Sequence, residues 1–255
     1  MADNFILLDS GYDQRQREKN RMLFRVIFIG FVFILIFLIS LIVISNSSSY
    51  VYPPKIKQNC SKDYNFDYYI LALRWPVTEC LSKDKCLKYN QEWFIHGLWP
   101  NRNDGSYPEN CCSDEKFDLK DLTPIENELK EDWPNLLKNQ ADDSLWRHEW
   151  TKHGTCSRTK LFQYFNTTLE LYKKFTIDKW LKQENVIPSN DKIYSSETII
   201  NVISKKIGFN IEIECEKYKY LSQMNICVDK NLNVFDCQKE QKISCNNQIT
   251  YPTNK

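Results

Sequence analysis

Ten cysteines, all beyond residue 59, constrain this chain more than any other feature of it. They are Cys60, Cys80, Cys86, Cys111, Cys112, Cys156, Cys215, Cys227, Cys237 and Cys245. An even number confined to one part of a chain points to disulfides made in an oxidising compartment. Zinc held by reduced thiols is the competing reading, but the 80/86 and 237/245 spacings are too wide for a CxxC knuckle. The cross-linked part is therefore expected outside the cytosol, and it needs a route there.

Residues 26–44 supply one. VIFIGFVFILIFLISLIVI is a 19-residue run without a charge, close to the ~20 residues with which a helix spans a bilayer. The apolar core of a cleaved signal peptide is shorter, about 7–15 residues. Arg15, Arg17, Lys19, Arg21 and Arg25 precede the run, and no basic residue follows it through residue 52. The positive-inside rule then places the N-terminus in the cytosol and the remainder in a lumen or outside the cell. The expected organisation is a cytosolic tail (1–25), a transmembrane signal anchor (26–45), a linker containing Pro53 and Pro54 (46–59) and one domain (60–255). That describes a single-pass type II membrane protein of the endosome, lysosome or cell surface. Cleavage near residues 45–49, with release, is the alternative. Sequons begin at Asn46, Asn59 and Asn166, all on the lumenal side. Asn59 and Asn166 are the glycosylation candidates, since Asn46 is too near the membrane. In the tail, residues 3–8 read DNFILL, which resembles an acidic dileucine sorting signal, a pattern that also arises by chance.

Charge narrows the function. The first 45 residues hold five Lys/Arg and four Asp/Glu, leaving 29 of each sign beyond them. A formally neutral domain lacks the basic surplus of a protein that grips nucleic acid mainly by neutralising phosphates. Any handling of RNA should occur at a small local site.

Periodicity and turn chemistry predict an α+β domain built on a central, mainly antiparallel sheet with packed helices. Residues 66–75, FDYYILALRW, are aromatic and β-branched and end at Pro76, as a central strand does. Residues 93–99, WFIHGLW, read as a second strand, and a period of two puts Phe94, His96 and Leu98 on one face. Residues 101–112 form a loop by their Asn, Asp, Gly and Pro content. Residues 118–137 should make two helical pieces, interrupted by Pro124 and Pro134. Residues 145–153 form a helix that Gly154 ends at C′. One or two amphipathic helices are expected over 161–181, and another over 197–207 closed by Gly208. Strands follow at 210–215, at 223–237 around a turn at 229–231, and at 242–245.

All three histidines fall in two aromatic-rich motifs, WFIHGLWP around His96 and HEWTKHGTC over residues 148–156. A zinc-binding helix needs HExxH, whereas this spacing is HExxxH. Five residues rotate a helix by about 500°, leaving His148 and His153 roughly 140° apart. No metal site is expected. The pairs that do converge are Glu149 with His153 and His148 with Lys152, at i,i+4, and Glu149 with Lys152 at i,i+3. Ordinary ion pairs on a solvated face would use the same spacing. His96 tips the balance. Two imidazoles can take a proton from a 2′-OH and give one to a departing 5′-oxygen, while a lysine stabilises charge on the phosphate. DNA lacks that nucleophile.

FIHGLWP and HEWTKHGTC resemble the two active-site segments of the ribonuclease T2 family, the transferase-type acid ribonucleases. FDYYILALRWP resembles that family's first strand, GLWPNRNDGSYPENC its following loop, and the last cysteine pairs its ending. The resemblance spans about residues 60 to 250 and leaves out the anchor. It implies an endoribonuclease that cleaves single-stranded RNA through a 2′,3′-cyclic phosphate without cofactor or metal. His153 would be the general base and His96 the general acid. Glu149 and Lys152 would stabilise the pentacovalent state, and His148 would bind phosphate. Trp99 and Tyr107 would stack on the base, with Asn101 standing where some members have an aspartate that contacts it. Arg74 replaces a glutamine frequent before the Trp-Pro of the first strand, which puts the second base subsite in doubt. The implied disulfides are Cys80–Cys86, Cys215–Cys245 and Cys227–Cys237, with Cys156 joined to Cys111 or Cys112 and Cys60 taking the one left over. A catalytically inactive, RNA-binding or receptor-like ectodomain of the same fold is the alternative. The expected partners are single-stranded RNA and, through residues 26–44, a membrane. From Glu149 and the helix C-terminus, a raised His153 pKa is expected.

Overall fold

The computed structural model describes residues 21–22, 29–30, 60, 64–81, 86–112, 114–237 and 244–254. The expected tail with its dileucine apart from Arg21 and Met22, the membrane run apart from Ile29 and Gly30, and the linker with Asn46 and Asn59 lie outside these residues. Among the described residues no helix is long and apolar enough to cross a membrane. Backbone contacts divide the chain between Ile56 and Lys57, and the second unit carries the motifs.

Its sheet runs β2-β1-β5-β6-β3, with β4 also paired to β5. The strands are β1 (Tyr68–Arg74), β2 (Phe94–Asn101), β3 (Ile193–Ser195), β4 (Glu212–Glu216), β5 (Tyr220–Val228) and β6 (Gln248–Thr250). All pairings are antiparallel except β5 with β6. Every residue of β1 is buried, so both faces of the central strand are covered. Tyr69, Leu71, Leu73 and Trp75 enter the main core, while Tyr68, Ile70 and Ala72 pack with Cys227 and Cys237 on the other face.

The described residues of this unit form six α-helices: α1 (Pro76–Leu81), α2 (Glu126–Asp132), α3 (Ser144–Lys152), α4 (Leu161–Tyr172), α5 (Ile177–Gln183) and α6 (Ser196–Ile207). Trp146 and Trp150 of α3, Tyr164, Phe165 and Leu169 of α4, and Ile199 and Ile203 of α6 fill the main core. Five tryptophans are fully buried there, and a buried indole N–H needs an acceptor. Each has one. Trp75 donates to Pro252 O, Trp93 to Tyr251 Oη, Trp133 to His96 O, Trp146 to Trp133 O and Trp150 to Glu115 O. The core is thereby hydrogen-bonded directly to the backbone of a motif histidine.

The α+β class, the sheet and the five disulfides agree with expectation. Cys60 pairs with Cys112 and Cys111 with Cys156, beside Cys80–Cys86, Cys215–Cys245 and Cys227–Cys237. Several boundaries do not agree. Residues 119–125 form a 3-10 helix that accommodates Pro124, and α2 follows at once. Pro76, expected only to end a strand, opens α1, where its missing N–H costs nothing. The strand expected over 223–237 stops at Val228, and Ser244 and Cys245 are not in a strand. The three-residue strands β3 and β6 are too short to show a period.

Gly208 does cap α6 in the left-handed conformation, with φ +87°. Gly154 does not. The backbone continues from α3 into a 3-10 turn, Gly154–Cys156. Its glycine is required by packing instead, because a Cβ would lie 2.4 Å from Trp150 Cε3.

Candidate active site

His96 sits where β2 breaks step. Ala72 of β1 faces Gly97 and Leu73 faces Ile95, so His96 has no partner on β1. This is a β-bulge, which changes the phase of a strand and re-aims a side chain. The expectation that Phe94, His96 and Leu98 share one face is therefore overturned. Ile95 and Leu98, three apart, both enter the main core. His96 and Trp99, also three apart, meet edge to face with ring centroids 5.0 Å apart.

Trp99 is the hub of the site. The His153 imidazole stacks on it with centroids 5.2 Å apart, and its indole N–H donates to Glu149 Oε2 over 2.8 Å. The strand allows this only because residue 97 is glycine: a Cβ there would lie 2.2 Å from Glu149 Oε2 and 2.3 Å from Trp99 Nε1. Glu149 Oε1 stands 3.9 Å from His96 Nε2. The indole thus contacts both imidazoles and holds the carboxyl.

Helix α3 and the loop after β2 form the other wall. Glu149 and Lys152 lie in α3, and His153 is its C-cap. Cys111–Cys156 ties the loop to the turn after α3. Asn110 N–H donates to Lys152 O, and Cys111 N–H donates to Thr155 Oγ1. Tyr107, half exposed, is thereby held with its ring centroid 6.4 Å from that of His153 and 5.9 Å from Lys152 Nζ. His148 is exposed. Asn101, at the end of β2, is buried, and its Oδ1 accepts the Arg102 N–H. Arg74 is also buried. It is paired with Glu79 over 2.7 Å and donates to Pro134 O.

Burial sets the protonation of the cluster. Glu149 is 1 % exposed, and desolvation raises its pKa to about 7 against the pull of Trp99, Arg74 and Lys152. Desolvation, helped by the Arg74 charge, lowers His96 to about 4. His153 falls to about 3, from desolvation and then the charges of Lys152, His148 and His96. The expected rise at His153 is corrected. Glu149 is turned toward Trp99 and His96, and with a pKa near 7 it is neutral across the acid range, where it offers His153 no counter-charge. The Nδ1 of His153 is buried without a hydrogen-bond partner.

Among the described residues no three His, Cys, Asp or Glu side chains converge to hold a metal ion. Three residues without a motif also reach the site. Gln223 and Asn225 on β5 and Glu214 on β4 form a polar chain ending on His96. In the sequence they are ordinary polar positions of two strands, and only the sheet register brings them together.

The Ribonuclease T2 family profile matches residues 66–237. Ribonuclease DdI of Dictyostelium discoideum is 37 % identical over 199 residues, covering 76 % of this chain and 87 % of that protein. Ribonuclease 1 of Arabidopsis thaliana is 32 % identical over 213 residues, covering 78 % and 92 %. Among solved structures, RNase NT in complex with 5′-AMP superposes with a TM-score of 0.69 at 30 % identity, over 74 % of this chain and 98 % of that one. Sequence profile, relatives and fold agree, and this chain belongs to the ribonuclease T2 family.

Proposed function

We propose that this protein is an endoribonuclease that cleaves single-stranded RNA by transphosphorylation, with no metal in the reaction. One observation carries the reading: His96 and His153 both pack against Trp99, whose N–H holds Glu149, and Lys152 precedes His153 at the end of α3. Neutral His153 takes the proton of a 2′-OH, and the 2′-oxygen bonds to the adjacent phosphorus. Charged His96 gives its proton to the 5′-oxygen as the P–O5′ bond breaks. The products are a 2′,3′-cyclic phosphate and a 5′-hydroxyl. Lys152 and His148 stabilise the phosphate charge. Tyr107 offers an open ring to a base, and stacking of this kind accepts any base. Trp99 has one ring face already occupied by His153.

The role of Glu149 follows from its pKa. A carboxylate would repel a pentacovalent phosphate, whereas a neutral carboxyl can donate a hydrogen bond to it. With its pKa near 7, Glu149 is neutral throughout the acid range, accepting from Trp99 at Oε2 and keeping Oε1 toward His96. Glutamine reproduces both contacts. Glu149→Gln is expected to keep kcat within about tenfold of the parent, while Glu149→Ala should lose about 10²- to 10³-fold. Equal losses in steady-state RNA cleavage would show that the acidic proton, or no donor at all, is used.

The pH dependence tests the whole reading. The base must be neutral, so kcat/KM rises as pH climbs through the His153 value of about 3. The acid must be charged, so it falls as pH climbs through the His96 value of about 4. A bound phosphate anion raises both in the complex, which moves the kcat profile and not that of kcat/KM. The purified protein should cleave oligoribonucleotides in EDTA with a bell-shaped kcat/KM that peaks below about pH 6. Cleavage that rises steadily into the alkaline range, or that stops on chelation, contradicts it.

The apolar run at residues 26–44 and the basic residues before it support a membrane-anchored enzyme with its catalytic unit in an oxidising lumen or outside the cell. Asn166, on α4, is the acceptor that such a compartment could glycosylate. Alkaline carbonate should leave anchored protein with the membrane pellet. Complete extraction into the supernatant would mean that the run does not hold it there.

A further inference from the structure

The polar chain behind His96 is fixed by one carboxylate. Glu214 Oε1 can only accept, so the Gln223 atom 2.7 Å from it and the Asn225 atom 2.8 Å from it must both be amide NH₂ groups. The Asn225 oxygen then accepts a second hydrogen bond from Gln223 Nε2 over 3.1 Å. Both amides are locked. Gln223 must turn its oxygen toward His96, where it lies 2.6 Å from Nδ1. An oxygen facing Nδ1 requires the proton on Nδ1. The sheet builds this arrangement, since Gln223 faces Arg74 on one side and Glu214 on the other in the strand register. Gln223 and Asn225 are both buried, where an unmatched amide would be costly.

We propose that Gln223, held by Glu214 and Asn225, is a positioning residue that keeps His96 in its Nδ1–H form, so that Nε2 is the nitrogen through which the proton passes to the leaving oxygen. This rests on His96 being the general acid. When charged His96 releases its Nε2 proton to the 5′-oxygen, the neutral ring left behind is the tautomer that Gln223 accepts from. No proton has to move on the far side of the ring during the step. The same oxygen stabilises the imidazolium, opposing Arg74 and burial, which disfavour it. The charged or titratable groups around His96 are Arg74 of β1, Glu79 of α1, His148 and Glu149 of α3, and His153. None of these bonds Nδ1.

Two measurements decide the matter. In the unaltered protein, ¹⁵N spectra of the three histidines at near-neutral pH should show neutral His96 as the Nδ1–H tautomer, and an Nε2–H tautomer overturns the proposal without any variant. Gln223→Leu keeps the approximate volume and removes the acceptor. It should lower kcat about 10- to 100-fold with KM within about twofold, and move the alkaline limb of the kcat profile to lower pH. An active Gln223→Leu protein with the parental kcat and limb overturns the proposal while leaving the ribonuclease reading intact. Failure of the unaltered protein to cleave RNA would instead overturn that reading, and the ¹⁵N spectra would still report the tautomer.

Discussion

His153→Ala and His96→Ala should each lower kcat/KM for RNA cleavage by about 10²- to 10⁴-fold, the usual contribution of general acid–base catalysis. The double variant should lose little more than the worse single one, because groups acting in one step are far from additive. Their roles can be separated by the leaving group. A nucleoside 3′-(p-nitrophenyl phosphate) releases an anion that needs no proton. On that substrate His96→Ala should recover most of its activity and His153→Ala should not. Equal deficits on both substrates would contradict the assignment of acid to His96 and base to His153. His96 lies in an edge strand and His153 at a helix end, so denaturation midpoints near the parental value should accompany both variants.

Trp133→Ala should cost the most stability, about 3–5 kcal/mol by the measure of buried aromatic truncations. The indole is fully buried and packs against Phe165, with ring centroids 5.1 Å apart. It donates to His96 O over 2.9 Å, and Trp133 O accepts from Trp146 Nε1 over 2.7 Å. Truncation leaves a cavity and deprives the backbone acceptor at the bulge, His96 O, of its donor. Urea denaturation is expected to show the loss, and kcat should fall with it because the His96 backbone loses its tether. Trp133→Phe refills most of the space without the donor, so it should recover stability more than activity. Parental kcat in Trp133→Phe would mean that the tether is not needed.

Chemistry was legible in the sequence where residue types are rare and clustered. Three histidines in two motifs, with Glu149 and Lys152 at helical spacing, pointed to proton transfer before any fold was in view. The geometry that makes the cluster work was less legible. A bulge at His96 is one unpaired residue in a register, and strict alternation assigned Leu98 to the wrong face. Gly97 carried no signal, since what it must avoid is Glu149 of α3 and the Trp99 ring that Glu149 holds, and α3 lies some fifty residues away. The His153 expectation failed because it counted the charge of Glu149 without its burial. Gln223, Asn225 and Glu214 were invisible for a related reason: a polar residue in a strand reads as solvated until the partner strands are known. The disulfides beyond Cys80–Cys86 likewise join residues ten to fifty-two positions apart, distances over which spacing alone does not choose a partner.

The central claim is that the 2′-oxygen of the substrate is the nucleophile. A DNA oligonucleotide carrying a single ribonucleotide, incubated with the purified protein in EDTA at acid pH, tests it most directly. The account predicts one cut, 3′ to the ribonucleotide, giving a fragment that ends in a 2′,3′-cyclic phosphate and another that begins with a 5′-hydroxyl, identified by mass. Cutting at deoxynucleotides, or ends bearing a 5′-phosphate, would contradict it.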